Sequence, residues 1–270
     1  MKAKIIFVLA FTLLCTNSFA QTSHETVVEL MKISGSTAIF QQLEEGVNAQ
    51  IAQKKSSFKN EEEFNKFANI IKSGLNSKNA EDYFIEYLEL YTNEDSIRNV
   101  IRLYEQPFMQ EMQKIELAAN NPARQQEMLA YMQGLNANPP SQERTQQLVT
   151  LNKELGASEM TIKMIENMVY SMVKGMNDMQ PKEKQIPKEK LEQKISSSLP
   201  AGFSQQMADR IVSVYQYTYK DVSADQLNAY ISVWQSPTGR YSSKHTLQAL
   251  DYSFSKMGEI IGNSFMVFVK

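Results

Sequence analysis

The sequence predicts an all-α protein: two tandem, diverged helical-bundle modules and a long amphipathic C-terminal helix. Glycine and proline number 10 and 8 in 270 residues, too few to break the chain often. Apolar residues recur at three- and four-residue spacing, and no long alternating run reads as a strand. The chain also repeats itself at fixed offsets, the mark of a duplicated unit.

Residues 1–20 have the layout of a cleavable export signal. Lys2 and Lys4 supply a positive start and Ile5 to Leu14 a short apolar run. Ser18-Phe19-Ala20 offers the small residues a signal peptidase reads, so cleavage is expected after Ala20. The apolar run is shorter than the roughly 20 residues a membrane span needs, so no stable membrane insertion is expected after cleavage. Leu14 precedes Cys15 where a lipoprotein would carry a small residue. Cys15 is the single cysteine and leaves with the signal, so the mature chain has no disulfide and its stability rests on an apolar core. With no Asn-x-Ser/Thr sequon, the expected compartment is a bacterial periplasm or the cell exterior. Losing Lys2 and Lys4 takes the formal charge from −2 to about −4. That balance lacks the basic excess of a nucleic-acid binder, and no nucleic-acid partner is expected.

The first module is expected over 21–117, a connector over 118–146 and the second module over 147–270. At an offset of 130, Tyr87 to Gln110 overlies Tyr217 to Arg240. Asn93 and Ser223 both read as N-caps, and Ser223 with Gln226 fits a capping box. Ile97, Val100, Ile101 and Tyr104 fall on Leu227, Tyr230, Ile231 and Trp234, and Pro107 falls on Pro237. Upstream, an offset of 121 places Leu30 on Leu151, Gly35 on Gly156, and Ile39, Leu43, Val47 and Ile51 on Met160, Met164, Met168 and Met172. The difference in offset requires an insertion, for which the charged, proline-bounded stretch Met179 to Pro187 reads as an exposed loop.

The remaining elements follow from local signals. Glu61 to Glu63 after Asn60 read as an acidic first helical turn. In the connector, Asn121-Pro122 reads as cap plus first helical residue, Gly134 as a stop, and Asn136 to Ser141 as a loop. A final helix is expected from Ser243 to Val269, with Leu247, Leu250, Phe254, Met257, Ile261, Phe265 and Phe268 on one stripe. That stripe serves to close the intramolecular core, to form a dimer seam or to contact lipid; its few basic residues favour the core.

The stretch Tyr219 to Leu227, followed by Trp234-Gln235-Ser236-Pro237-Thr238-Gly239-Arg240, resembles the DUF2059 family of exported bacterial proteins. The family pattern is an acidic-capped helix ending in an aromatic residue, then Ser-Pro-x-Gly-Arg/Lys. The resemblance is strongest over about 215–245, with a diverged copy at about 85–115 that keeps Tyr104 and Pro107 but carries Gln106, Met109 and Gln110. It implies an all-helical fold and a periplasmic setting, and no activity.

Candidate chemistry is sparse. The series Met160, Met164, Met168, Met172 and Met176 has a spacing that could present thioethers to Cu(I), but four-residue steps drift round the helix, and the first module carries aliphatic residues at matching positions. These methionines, with Met179, therefore read first as pliable core filler and otherwise as a flexible recognition surface. His24, expected to be disordered, and His245, expected to be solvated at a helix start, are the only histidines, too few for zinc or for a nucleophile's base. A pair of carboxylates among Glu44-Glu45, Glu61 to Glu63, Glu81-Asp82 and Glu94-Asp95 could serve glycoside hydrolysis, but such residues, as at Glu61 to Glu63 after Asn60, read more simply as ordinary helix charges. The best local candidates for binding are Ser236, Gly239 and Arg240 with Trp234, where the arginine could fork onto a carboxylate or phosphate or could pin an interhelical corner. The expected function is non-enzymatic, without catalytic residues, metal or cofactor: an exported module binding a protein or apolar ligand. The alternatives are a chaperone-like factor holding apolar clients or lipids, and a carboxylate hydrolase.

Overall fold

The computed structural model describes residues 21–135, 137–198 and 200–269. The expected export signal, Cys15 included, lies outside the described residues, as do Asn136 of the connector loop and the side chain of Phe268. In chain order the helices are α1 (His24–Ile33), α2 (Ser36–Gln53), α3 (Glu61–Gly74), α4 (Ser77–Tyr91), α5 (Glu94–Tyr104), α6 (Pro107–Ala119), α7 (Gln125–Gly134), α8 (Gln142–Leu155), α9 (Ala157–Asp178), α10 (Lys188–Ser198), α11 (Phe203–Thr218), α12 (Ala224–Gln235) and α13 (Pro237–Val269). Among the described residues there is no β-strand, only an isolated bridge between Gln21 and Asn93. The fold is all-α, and none of the described helices is long and apolar enough to cross a membrane.

Capping chemistry sets most helix starts. Asn60, Asn93 and Ser223 accept the backbone N–H of Glu63, Ser96 and Gln226, and the Gln226 side chain accepts the Ser223 N–H in return, completing the box. Gly35 separates α1 from α2 and Gly156 separates α8 from α9, with φ of +73° and +63°. A side chain in that left-handed region would be strained, which is why glycine stands at both corners.

Two groups of helices, one before and one after α7, each pack round a core. α1 packs on α5, α4 and α2, and α8 packs on α12, α11 and α9. The halves also exchange their last helices. α13 contributes Ala249 and Met257 to the core formed by Val27, Phe40, Phe84, Leu88 and Ile97 of α1, α2, α4 and α5. In return α6 contributes Met109 and Met112 to the core formed by Leu148, Leu151, Tyr219, Leu227, Tyr230 and Trp234. Neither core is complete without the other half.

α13 is longer than its apolar stripe indicates. It begins at Pro237 rather than at Ser243, because Ser236 Oγ accepts the Gly239 N–H at 3.0 Å and Pro237 needs no hydrogen-bond partner for its own nitrogen. It runs parallel to α9 and close to it. Gly258 lies over the Met168 carbonyl and Gly262 over the Met172 carbonyl, where a Cβ would come within 2.5 and 2.2 Å of those oxygens. The methionines Met160, Met164, Met168 and Met172 are half-buried round α9 and belong to neither core, which departs from their reading as core filler: four-residue steps drift round the helix and carry them off any one buried face.

Candidate functional site

α6 buries Met109, Met112 and Ala119, and their three- and four-residue spacing puts Glu116 on the same face. An acid thus stands at a core position. Tyr219 and Tyr230 both donate to its Oε1, at 2.7 and 2.6 Å. Among the described residues nothing donates to the other oxygen, Oε2, and no cationic side chain pairs with the group. Burial raises the Glu116 pKa above the usual carboxylate range, against the opposing effect of the two phenol hydrogen bonds. Burial and the neighbouring acid together raise Tyr219 and Tyr230 well above the ordinary phenol value, and Tyr104 and Tyr215 shift the same way for the same reasons.

Glu116 nonetheless keeps part of its surface open, because it forms one wall of a cavity of about 290 Å³. The cavity lies where α6 of the first half meets α11, α12 and α13 of the second. Tyr104, Tyr215, Tyr219, Tyr230 and Trp234 line it, with Leu117, Leu155, Val214 and Leu247 as aliphatic wall and Gln113, Ser242, Ser243 and Thr246 as polar points. Glu116 is the one charged residue among those lining it. The exposed Ile39 and Asn120 mark its mouth.

The five rings form a continuous chain. Ring centroids are 5.7 Å apart for Tyr215 and Tyr219, 6.0 Å for Tyr219 and Tyr230, 5.6 Å for Tyr230 and Trp234, and 6.4 Å for Trp234 and Tyr104. Most meet edge to face, the favourable arrangement for ring quadrupoles. The Trp234 N–H is buried without a hydrogen-bond partner among the described residues. Arg144 holds Tyr219 in place by donating to the Tyr219 and Val222 carbonyls, which fixes the turn from α11 into α12.

Of the residues singled out in the sequence, Trp234 lines the cavity and Ser236, Gly239 and Arg240 form the α12–α13 corner next to it. Gly239 is required there, since a Cβ would lie 2.2 Å from the Val233 carbonyl. Arg240 reaches Glu154 at 3.8 Å with its side chain 66 % exposed. Such a pair contributes under about 1 kcal/mol, so Arg240→Ala is expected to leave the thermal unfolding midpoint within a few degrees of wild type in a calorimetric scan. Glu116 and the four tyrosines were not among the sequence candidates. The signal was present in part: Glu116 sits at an apolar position of the α6 repeat.

Both histidines differ from their sequence reading. His24 is the first residue of α1, with Nδ1 2.8 Å from Glu89 Oε1. His245 lies inside α13, because the helix starts earlier than its stripe, and is half-buried with its ring 4.4 Å from Tyr241. Its Nδ1 is buried without a hydrogen-bond partner, and burial, then Lys244, lowers its pKa below 6.5. The native state therefore resists protonation at His245, and this group's contribution to stability falls as pH drops below about 6.5. His245→Phe is expected to remove that decline and to gain on the order of 1 kcal/mol by removing the unpaired nitrogen, read by urea unfolding at pH 5 and pH 8.

Among the described residues no group of three or more His, Cys, Asp or Glu is placed to hold a metal ion. No family model, no curated protein and no solved structure matches this chain.

Proposed function

We propose that this chain is an exported, non-enzymatic binding module whose ligand occupies the cavity beside Glu116. One observation carries the reading: a carboxylate at a core position, without a cationic partner and with hydrogen bonds to one oxygen only, lines a cavity walled by aromatic residues. Burying such a group costs free energy that the fold alone does not recover, and a bound ligand that pairs with it would. Apolar walls with a few convergent polar groups are the usual make-up of a small-molecule site. The residues lining the cavity include no histidine and no second acid, so the acid–base pair a hydrolase needs is not assembled around it. The exposed large apolar side chains Ile39, Leu90, Tyr91, Leu129 and Val149 are spread over α2, α4, α7 and α8, which favours a pocket over a client-holding face.

The module is a duplication in this reading. Support comes from the paired offsets in sequence, the two left-handed glycine corners and the matching helix pairings of the halves. The DUF2059-like segment forms part of the cavity wall through Tyr219, Tyr230 and Trp234. The cavity then lies at the junction of the two copies, with the acid from one and most of the rings from the other.

Native mass spectrometry of the mature chain, purified gently from the periplasm of its source, tests the proposal. A discrete small-molecule adduct is expected. It should vanish in Ala157→Phe, which places a ring at the cavity wall. A bare chain, or an adduct retained by that variant, would count against a ligand at this position.

A further inference from the structure

We propose that the ligand of this cavity is an organic ammonium ion, an alkylated or methylated amine whose charge sits against Glu116 and whose substituents lie on the aromatic wall. The inference rests on the binding reading above and adds the ligand's chemical class.

Charge gives the sign. Glu116 alone among the lining residues carries charge, and no lysine, arginine or histidine lines the cavity, so an anionic ligand finds nothing to neutralise it. Geometry gives the position. The two phenol hydrogens are both spent on Oε1, which leaves Oε2 as the acceptor without a donor on a residue that lines the cavity. The wall gives the preference for an organic cation over a hydrated metal ion. Tyr104, Tyr215, Tyr219, Tyr230 and Trp234 line the cavity, and aromatic rings attract a cation with weakly held water, as in the cages that hold quaternary ammonium groups. A hydrated divalent ion would need several oxygen ligands, and the wall supplies one carboxylate. The volume of about 290 Å³ leaves room beyond the ammonium head for a short chain against Leu117, Leu155, Val214 and Leu247.

The cavity also predicts how binding depends on pH. A bound cation favours the ionised carboxylate, so affinity rises with pH as Glu116 loses its proton. The groups facing it, Tyr104, Tyr215, Tyr219 and Tyr230, stay neutral because their pKa values lie above the ordinary phenol value.

Trp234 is the sole tryptophan of the chain and lies in the cavity wall, so its emission reports occupancy directly. Titrate the mature full chain with choline, with tetramethylammonium and with 3,3-dimethylbutan-1-ol, the uncharged isostere of choline, and separately with phosphatidylcholine vesicles. A saturable change with the ammonium probes is expected, at least tenfold tighter than with the isostere, and lost by about tenfold or more in Glu116→Gln. A response to the free ammonium ions assigns a soluble ligand; a response to the vesicles alone assigns a lipid headgroup carrying the same chemistry. Equal affinity for choline and its isostere overturns the ammonium assignment without touching the binding reading, and so does undiminished choline affinity in Glu116→Gln. The wild-type comparison holds even where the variant folds poorly. No response to any probe, with an adduct of other chemistry by native mass spectrometry, also overturns the ammonium assignment. No response and no adduct overturns both.

Discussion

Gly262→Ala is expected to lower the stability of the protein by about 1–3 kcal/mol, a fall of roughly 2–12 °C in the unfolding midpoint of a chain this size. The added Cβ would lie 2.2 Å from the Met172 carbonyl oxygen and 3.0 and 3.1 Å from its backbone carbons. All three are main-chain atoms, so no side chain can swing aside and α13 must lift away from α9. That movement has a long reach. α13 carries Ala249 and Met257 into the first core, and Ile261 packs over Gly74 at the end of α3. A Cβ on Gly258, one turn earlier, would lie 2.5 Å from the Met168 carbonyl oxygen, so Gly258→Ala is expected to act in the same direction and the double variant to be non-additive. Gly46, within α2, has nothing within 4 Å of its would-be Cβ. Gly46→Ala should therefore stabilise by about 0.5–1 kcal/mol, through helix propensity and reduced unfolded-state freedom. Differential scanning calorimetry of the three variants separates close approach from a general intolerance of glycine replacement. A Gly262→Ala midpoint at or above wild type would mean that α9 and α13 do not meet as described.

Glu116→Gln is expected to raise stability at neutral pH by about 1–3 kcal/mol, the scale of a buried ionisable group relieved of its charge. The substituted amide keeps an oxygen where Tyr219 and Tyr230 donate and turns its NH₂ toward the cavity, so both hydrogen bonds survive. The pH dependence carries the sign. Burial raises the native pKa of Glu116 above the 4.5 of the open chain, so the native state holds its proton more tightly than the unfolded state. Its stabilising contribution is complete below pH 4.5 and is lost progressively as pH rises through the native pKa. Across that window wild type should lose stability relative to Glu116→Gln, so the two urea-unfolding curves converge at acid pH and separate toward neutrality. If the variant is instead less stable at neutral pH, the phenol hydrogen bonds to the carboxylate outweigh its burial. The stability that wild type gives up is the free energy a pairing cation would recover, which joins this prediction to the ligand class proposed above.

Much of the scaffold was legible in the sequence because its determinants are local. Asn60, Asn93 and Ser223 cap where their side chains and the following acids or amide indicated, and Pro107 and Pro237 open helices where proline is tolerated. Gly35 and Gly156, which align at the offset of 121, both stand at corners with a left-handed backbone. The stripe of α13 marked its buried face but not its start, because Ser236 and Pro237 begin the helix before the apolar residues do.

The cavity was not legible, for a physical reason. Glu116 meets Tyr219 and Tyr230 across 103 and 114 residues, through a helix that crosses from one half into the core of the other. Helical periodicity shows that Glu116 faces inward; it does not show what it faces. His245 was misplaced by the same limit, since its surroundings are Tyr87 of α4 as well as Tyr241 of its own helix.

A ligand held against Glu116 should be visible in a crystal structure of the mature chain, purified gently from its source without refolding. Electron density is expected for a non-protein group in the cavity, with a positively charged nitrogen within ion-pair reach of Glu116 Oε2 and its carbons on the Trp234 and Tyr230 rings. A cavity filled only by ordered water, or closed by the surrounding side chains, would contradict the proposed binding.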